Sequence, residues 1–272
     1  MVGVIFAPKK VRLGHIPKLA GFAKVLQFLR IKVPLSRAII GVIVCGSVSD
    51  GTYNLRSDLD VVIVYRSSMA SEAHLFIRQL TNLAAKYYVP LELTLVRDEI
   101  IHTQMHFLTP GFFDHLRYAV KHNGLIGANP LPLAGEYPVT SDQNALIYIG
   151  RKNHKFENWD SHLFYNAEYD VQVLQEVLDA PVHVARRFID LHESGKGLGP
   201  KSEIALVYRR FAGGLADTLD HILDASQAYV SELQAQQACV DIPHYRQALR
   251  DIKAVGPLAA EFIRRNIKLL ST

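Results

Sequence analysis

The chain has 272 residues, 49% hydrophobic and 21% charged, with a formal net charge of +4 and two cysteines. That length makes one large or two medium domains of a globular protein, and two cysteines exclude a disulfide framework. The mild, scattered positive charge suits an anionic substrate and argues against a polynucleotide partner. The longest apolar run, Ala38 to Cys45, is eight residues, against about 20 for a membrane span, so no membrane association is expected. The N-terminal stretch is apolar first and basic only from Lys9, the reverse of a secretory signal, and the expected location is cytoplasmic.

From Ile16 to Arg30 the apolar residues Ile16, Leu19, Ala20, Phe22, Ala23, Leu26 and Leu29 recur at helical period. Ala38–Cys45 is short, apolar and rich in β-branched residues, which predicts a buried central strand. Leu59–Tyr65 is a second strand of this kind. Ser71 is a candidate cap for a helix to Tyr87, with Ala73, Phe76, Ile77, Leu80, Leu83 and Ala84 facing inward. Val89–Val96 is a third strand, and a helix is expected from Phe112 to Lys121. The order helix, strand, strand, helix, strand predicts a compact sheet covered by helices on at least one face. The Gly- and Pro-rich segment Gly124–Val139 carries turn signals at Asn129-Pro130 and Leu131-Pro132. It suggests a boundary between a first domain of residues 1–125 and a second of 126–272.

Beyond about Thr140 the pattern is helical almost throughout. Ser141 or Asp142 caps a helix through Lys155. Others are expected over Asn166–Leu178, Pro181–Glu193, Ser202–Phe211, Leu215–Gln236 and Tyr245–Leu270, with Pro257 kinking or splitting the last. Short connections predict an antiparallel all-α bundle, so the expected class is α+β: a small mixed sheet flanked by helices, then a helical bundle domain.

The chemistry concentrates at Cys45-Gly46-Ser47 and, ten residues later, Asp58-Leu59-Asp60-Val61-Val62. Residues i and i+2 of a strand point to one face, so Asp58 and Asp60 project together. Two bare carboxylates so close repel unless a cation lies between them, and Mg²⁺ takes carboxylate and phosphate oxygens. Glu92, inside the third strand, is a third acid able to ligate a second metal or take a proton. Gly46 lets backbone N–H groups approach an anion, and Ser47 adds a hydroxyl donor. Arg151, Lys152 and Lys155 form a basic cluster at the start of the bundle, either a solvated helix face or triphosphate contacts. Glu157, Asp160 and Glu168 are candidate acids of the second domain. Gly195–Ser202 has the look of a phosphate loop, but Pro200 precedes Lys201 and no strand leads into it, so a helix connection is expected. His102 and His106 lack a third ligand, and Trp159 among Phe156, Phe164 and Tyr165 reads as packing.

On Cys45, Gly46, Ser47, Asp58, Leu59, Asp60, Val61 and Glu92 the chain resembles the polymerase-beta-like nucleotidyltransferase superfamily. Its signature is a hydrophobic residue, Gly, then Gly or Ser, a spacer of about ten, Asp-hydrophobic-Asp/Glu-hydrophobic, and a later third acid. Ser57 matches the Ser-Asp pair common there, and the resemblance covers roughly Ile16 to Val96. A small catalytic domain followed by a helical bundle looks like the aminoglycoside and lincosamide nucleotidyltransferases. The resemblance implies ATP or another nucleoside triphosphate as donor, two Mg²⁺ ions, pyrophosphate as product, and a small-molecule acceptor such as an antibiotic. It implies Asp58, Asp60 and Glu92 as catalytic and metal-binding residues. Gly46, Ser47, Arg56, Ser57, Lys152 and Lys155 are expected at the nucleotide. Asp50 stands where some members carry a basic residue, and Arg56 is the substitute cation. A homodimer is expected by analogy alone. The alternatives are a protein AMP-transferase of toxin–antitoxin type and an inactive nucleotide-binding scaffold.

Overall fold

The computed structural model describes residues 18–102, 110–135, 141–157, 170–193, 197, 199–237 and 245–270. The chain divides into two compact units; of the described residues, 18–135 belong to the first and 141–270 to the second. The first contains α1 (Leu19–Lys32), β1 (Ile39–Cys45), the single turn α2 (Ser47–Asp50), β2 (Leu59–Tyr65) and α3 (Ala70–Lys86). It continues with β3 (Leu91–Arg97), α4 (Pro110–Lys121), β4 (Leu125–Gly127) and the short α5 (Leu131–Ala134). The expected strands are present, β2 with the expected bounds. Ile16 lies outside the described residues.

The four strands form one mixed sheet in the order β3-β2-β1-β4. β1 runs antiparallel to both neighbours and β2 parallel to β3. Alternation divides each strand between two cores. Val42, Val44, Leu59, Val61, Ile63 and Leu93 pack with Phe22, Val25 and Leu29 of α1 and with Ala73, Phe76 and Leu80 of α3. On the opposite face Ile43, Cys45, Val62, Val64 and Val96 pack with Phe113, Leu116 and Ala119 of α4. Helices therefore cover both faces, and each fully buried Leu, Ile or Phe contributes roughly 1.5–3 kcal/mol. β4 was not expected. It pairs Leu125, Ile126 and Gly127 with Ile43, Val42 and Gly41, so the sheet extends into the Gly- and Pro-rich segment.

That pairing depends on Gly41. A Cβ there would lie 2.0 Å from the carbonyl oxygen of Ala128, and backbone on that side cannot yield as a side-chain tip can. Gly41→Ala is expected to lower stability by about 2 kcal/mol, the scale of overpacking in a filled core. Chemical denaturation checks it; an unchanged midpoint contradicts it.

Helix α3 begins two residues earlier than expected. Its N-cap is Met69 rather than Ser71, after a tight turn over Ser67–Met69. Asp98 holds that turn. Its Oδ1 accepts from the Ser67 amide, the Ser67 hydroxyl and the Glu99 amide, each at 2.9 Å. Asp98 follows β3 and Ser67 follows β2, so this carboxylate clamps the C-terminal ends of the parallel pair. The Ser67 amide is the largest influence and, with the other donors, outweighs partial burial to hold the Asp98 carboxyl below its ordinary value. A depressed folded-state pKa stabilises above the unfolded value, about 3.9, and the contribution is lost as pH falls through the folded value. Asp98→Ala should lower Tm at pH 7 and lose less than wild type between pH 5 and strong acid, as thermal melts across pH would read. Parallel Tm–pH curves for the two proteins contradict it.

The regular elements described in the second unit are all helices: α6 (Ser141–Phe156), α7 (Asp170–His192), α8 (Lys201–Ala212), α9 (Leu215–Gln237) and α10 (Tyr245–Leu270). α7 packs against the other four. The two helices expected on either side of Pro181 are one. Pro181 lies inside α7, and Leu174, Val177, Leu178, Val184, Ala185 and Phe188 are all buried along it. Burial of that continuous face offsets the hydrogen bond that proline removes, a cost of about 3 kcal/mol. Pro257 likewise lies inside α10, which is not split. Asn266 of α10 is fully buried and satisfied: its side chain accepts from the Tyr208 hydroxyl at 2.8 Å and donates to the Phe262 carbonyl at 2.9 Å. Among the described residues no helix is long and apolar enough to cross a membrane.

Candidate active site

The acids stand where an apolar row gives way at one end of the sheet. Leu59 and Val61 enter the core beneath α1 and α3, so Asp58 and Asp60 lie on the other face, in line with Val62 and Val64. On β3, Leu93 enters the α1–α3 core, which puts Glu92 on the face of Thr94 and Val96. Register then aligns the strands: Asp60 lies opposite Cys45 on β1 and opposite Glu92 on β3. One carboxylate oxygen each from Asp58, Asp60 and Glu92 lies within 4.8 Å of the others, and all three residues are half-buried. Adjacent strands are spaced about 4.8 Å apart, so the cluster follows from the register. The donor set is oxygen only, which fits a hard divalent cation such as Mg²⁺ or Mn²⁺ better than a thiophilic one.

Cys45 is buried at 2% exposure. Burial first, and the Asp60 carboxylate second, push its thiol well above the ordinary value. It stays neutral at physiological pH and acts as a small core side chain.

The Gly46 turn abuts the acids. Gly46 has φ +67°, and a Cβ added there would lie 3.5 Å from Asp60 Oδ2. Positive φ suits glycine and swings the chain from β1 into α2, where the Ser49 amide and hydroxyl both return to the Gly46 carbonyl at 3.0 and 2.7 Å. Ser47 and Ser57 are brought together: the Ser47 hydroxyl donates to Ser57 Oγ at 3.0 Å. Asp50 is exposed, and its Oδ1 accepts from the amide and hydroxyl of Thr52 at 3.0 and 2.6 Å. Arg56 is 9% exposed; its backbone amide donates to Asn54 Oδ1 at 2.8 Å.

Lys152 and Lys155 lie on α6 of the helical unit. Both pair with Glu176 of α7, Lys155 at 3.3 Å and Lys152 in close contact. Burial disfavours charge on Glu176, yet the two lysines outweigh it and hold the carboxyl below its usual value. Arg151 is exposed on α6 and Glu157 follows the helix. His106, Trp159, Asp160, Phe164, Tyr165 and Glu168 lie outside the described residues. Within the Gly195–Ser202 segment the Gly197 amide donates to Asp190 Oδ1 at 2.9 Å. Lys201 opens α8 and pairs with Asp179 at 2.8 Å.

Asn54 escaped the sequence reading. Its backbone and side chain organise the loop between Gly46 and Asp58, and the Asn-x-x-Ser spacing at Asn54 and Ser57 was the available signal, because Asn side chains commonly bond a backbone amide two residues on.

Comparison with curated proteins gives no match. Residues 23–107 match the family model of the nucleotidyltransferase domain, the stretch that contains β1, β2, β3, the Gly46 turn and all three acids. That match is consistent with a polymerase-beta-like nucleotidyltransferase domain over this part of the chain.

Proposed function

We propose that the chain is a Mg²⁺-dependent enzyme that transfers a nucleoside monophosphate, preferentially from ATP, to a hydroxyl group of a small molecule of the antibiotic class. The observation that carries this reading is the meeting of Asp58, Asp60 and Glu92 within 4.8 Å, beside the positive-φ turn at Gly46.

In the proposed reaction an acceptor hydroxyl oxygen attacks the α-phosphorus. A new P–O bond forms, the bond between the α-phosphorus and the bridging oxygen breaks, and pyrophosphate leaves. Asp58 and Asp60 would hold the cations, and Glu92 either takes the hydroxyl proton or completes the ligand set, in which case the proton passes to solvent water. Two bound Mg²⁺ ions would neutralise charge on the entering and leaving oxygens. Gly46, Ser47 and Ser57 address the phosphates, and Arg56 is assigned to the same nucleotide. Buried neighbours Leu59 and Val61, at 0% and 1% exposure, hold the acids rigidly on β2. Choice of acceptor is assigned to the helical unit.

The test is incubation with labelled ATP, CTP, GTP and UTP against an aminoglycoside and lincosamide panel and a cell lysate. Metal-dependent label on a panel compound, with pyrophosphate released, supports the reading. Label on a protein moves the acceptor class to proteins, and no label with any donor refutes transfer.

A further inference from the structure

Between the Gly46 turn and Asp58 the chain forms a closed set of hydrogen bonds. The Ser57 amide donates to the Asn54 carbonyl at 3.0 Å, and the Asn54 amide donates to Ser57 Oγ at 2.9 Å. Asn54 Oδ1 accepts from the Arg56 amide at 2.8 Å, and the Ser47 hydroxyl donates to Ser57 Oγ at 3.0 Å. The set therefore ties the turn after β1 to the residue immediately before Asp58.

A hydroxyl has one proton and two acceptor positions. Ser57 Oγ receives two donors, the Asn54 amide and the Ser47 hydroxyl, so what it has left is its own O–H. Ser47 has committed its proton to Ser57. Whichever way the bond between the hydroxyls runs, it consumes one of their two protons. The pair offers one donor outward, polarised by the bond behind it.

We propose that Ser47 and Ser57 act as one relayed hydrogen-bond donor to a phosphate oxygen of the nucleoside triphosphate, with Asn54 as the positioning residue that orients Ser57. The proposal rests on the nucleotidyltransferase reading above and deepens it: the two serines are not two independent phosphate contacts. Its energetic signature is coupling, because removing either hydroxyl breaks the same relay.

The experiment is a double-mutant cycle read as the Kd for α,β-methylene ATP with Mg²⁺, by calorimetry on the full chain. Ser57→Ala is expected to weaken binding about tenfold, the scale of one hydrogen bond to a charged group, and Ser47→Ala by a smaller factor. The double variant should lose no more than Ser57→Ala alone, and Ser57→Thr, which keeps the hydroxyl, should stay near wild type. Asn54→Ala keeps both backbone contacts to Ser57 and removes only the Oδ1 acceptor of the Arg56 amide that shapes the loop; it should weaken binding less than Ser57→Ala and have no further effect in the Ser57→Ala background, which a merely structural role would not reproduce. Losses that multiply in the double variant overturn the relay, as does an Asn54→Ala effect that persists without the Ser57 hydroxyl. Should an alanine variant fail to fold, Ser47→Cys and Ser57→Cys, which replace each hydroxyl with a far weaker donor, run the same cycle. Failure of the wild type to bind this analogue and every one of the four triphosphates overturns the reading itself. Binding with multiplying losses overturns only the relay.

Discussion

Replacing Asp60 by Asn, or Asp58 by Asn, is expected to remove metal-dependent transfer while the protein remains folded. Each substitution keeps the shape of the side chain and deletes one negative charge from a cluster whose oxygens lie within 4.8 Å of one another. In the metal-free protein those charges repel, so the melting temperature should be unchanged or slightly higher. Changes in the outer shell of a metal site alone commonly cost about 10–100-fold in affinity or activity, so loss of a carboxylate that holds the ion should cost at least about 100-fold. The readouts are pyrophosphate release and thermal melting on the same samples. Full activity in both variants removes the site. A loss of activity accompanied by a large drop in Tm means that the acids hold the fold instead.

The largest expected effect on stability lies in the helical unit, at Asp190. Its side chain is 6% exposed, and so is that of Arg187, which donates to Asp190 Oδ2 at 3.1 Å. Asp190 Oδ1 accepts from the Gly197 amide at 2.9 Å, while Arg186 donates to the Gly199 carbonyl at 2.7 Å. Two consecutive arginines and one aspartate thus fasten the connection between α7 and α8 onto α7. A Cβ at Gly197 would lie 2.1 Å from the Arg186 carbonyl oxygen, which measures how closely the connection is laid down. Asp190→Ala strips the buried guanidinium of this carboxylate and the Gly197 amide of its acceptor. Breaking a buried pair from one side costs about 3–5 kcal/mol. The Tm of the helical unit should fall by roughly 10 °C, taking about 2–4 °C per kcal/mol for a chain of this size. Asp190→Asn, which retains an acceptor oxygen, should fall less. A shift of a degree or two for Asp190→Ala would mean that the connection is held by packing alone.

The site was legible in the sequence for a simple geometric reason. Strand alternation has period two, so Asp58 and Asp60 share a face by spacing alone, and the β-branched run Val61–Val64 within Leu59–Tyr65 identifies the strand beside them. The position of Glu92 opposite Asp60 required the parallel register of β2 and β3, a tertiary property. β4 was missed because three residues, Leu125–Gly127, carry no periodicity; what makes them a strand is the open edge of β1. The union of two expected helices into α7 shows tertiary burial overriding a local breaker: Pro181 signals an end, but the apolar face runs through it. Ser71 was a plausible cap displaced by the turn that Asp98 holds. Asn54 was missed because its contacts run within a loop of four residues, where composition says only that a turn exists. The resemblance of Gly195–Ser202 to a phosphate loop dissolves for a similar reason, since the Gly197 amide serves Asp190.

The most direct measurement is Mn²⁺ binding, followed by electron paramagnetic resonance, to the wild type and to the Asp58→Asn/Asp60→Asn/Glu92→Gln variant, with circular dichroism on both. The three carboxylates as the cation-holding group predict saturable binding by the wild type and its loss in a variant with an unchanged spectrum. Equal binding by the two proteins would place the ion elsewhere and leave the proposed transfer without its site.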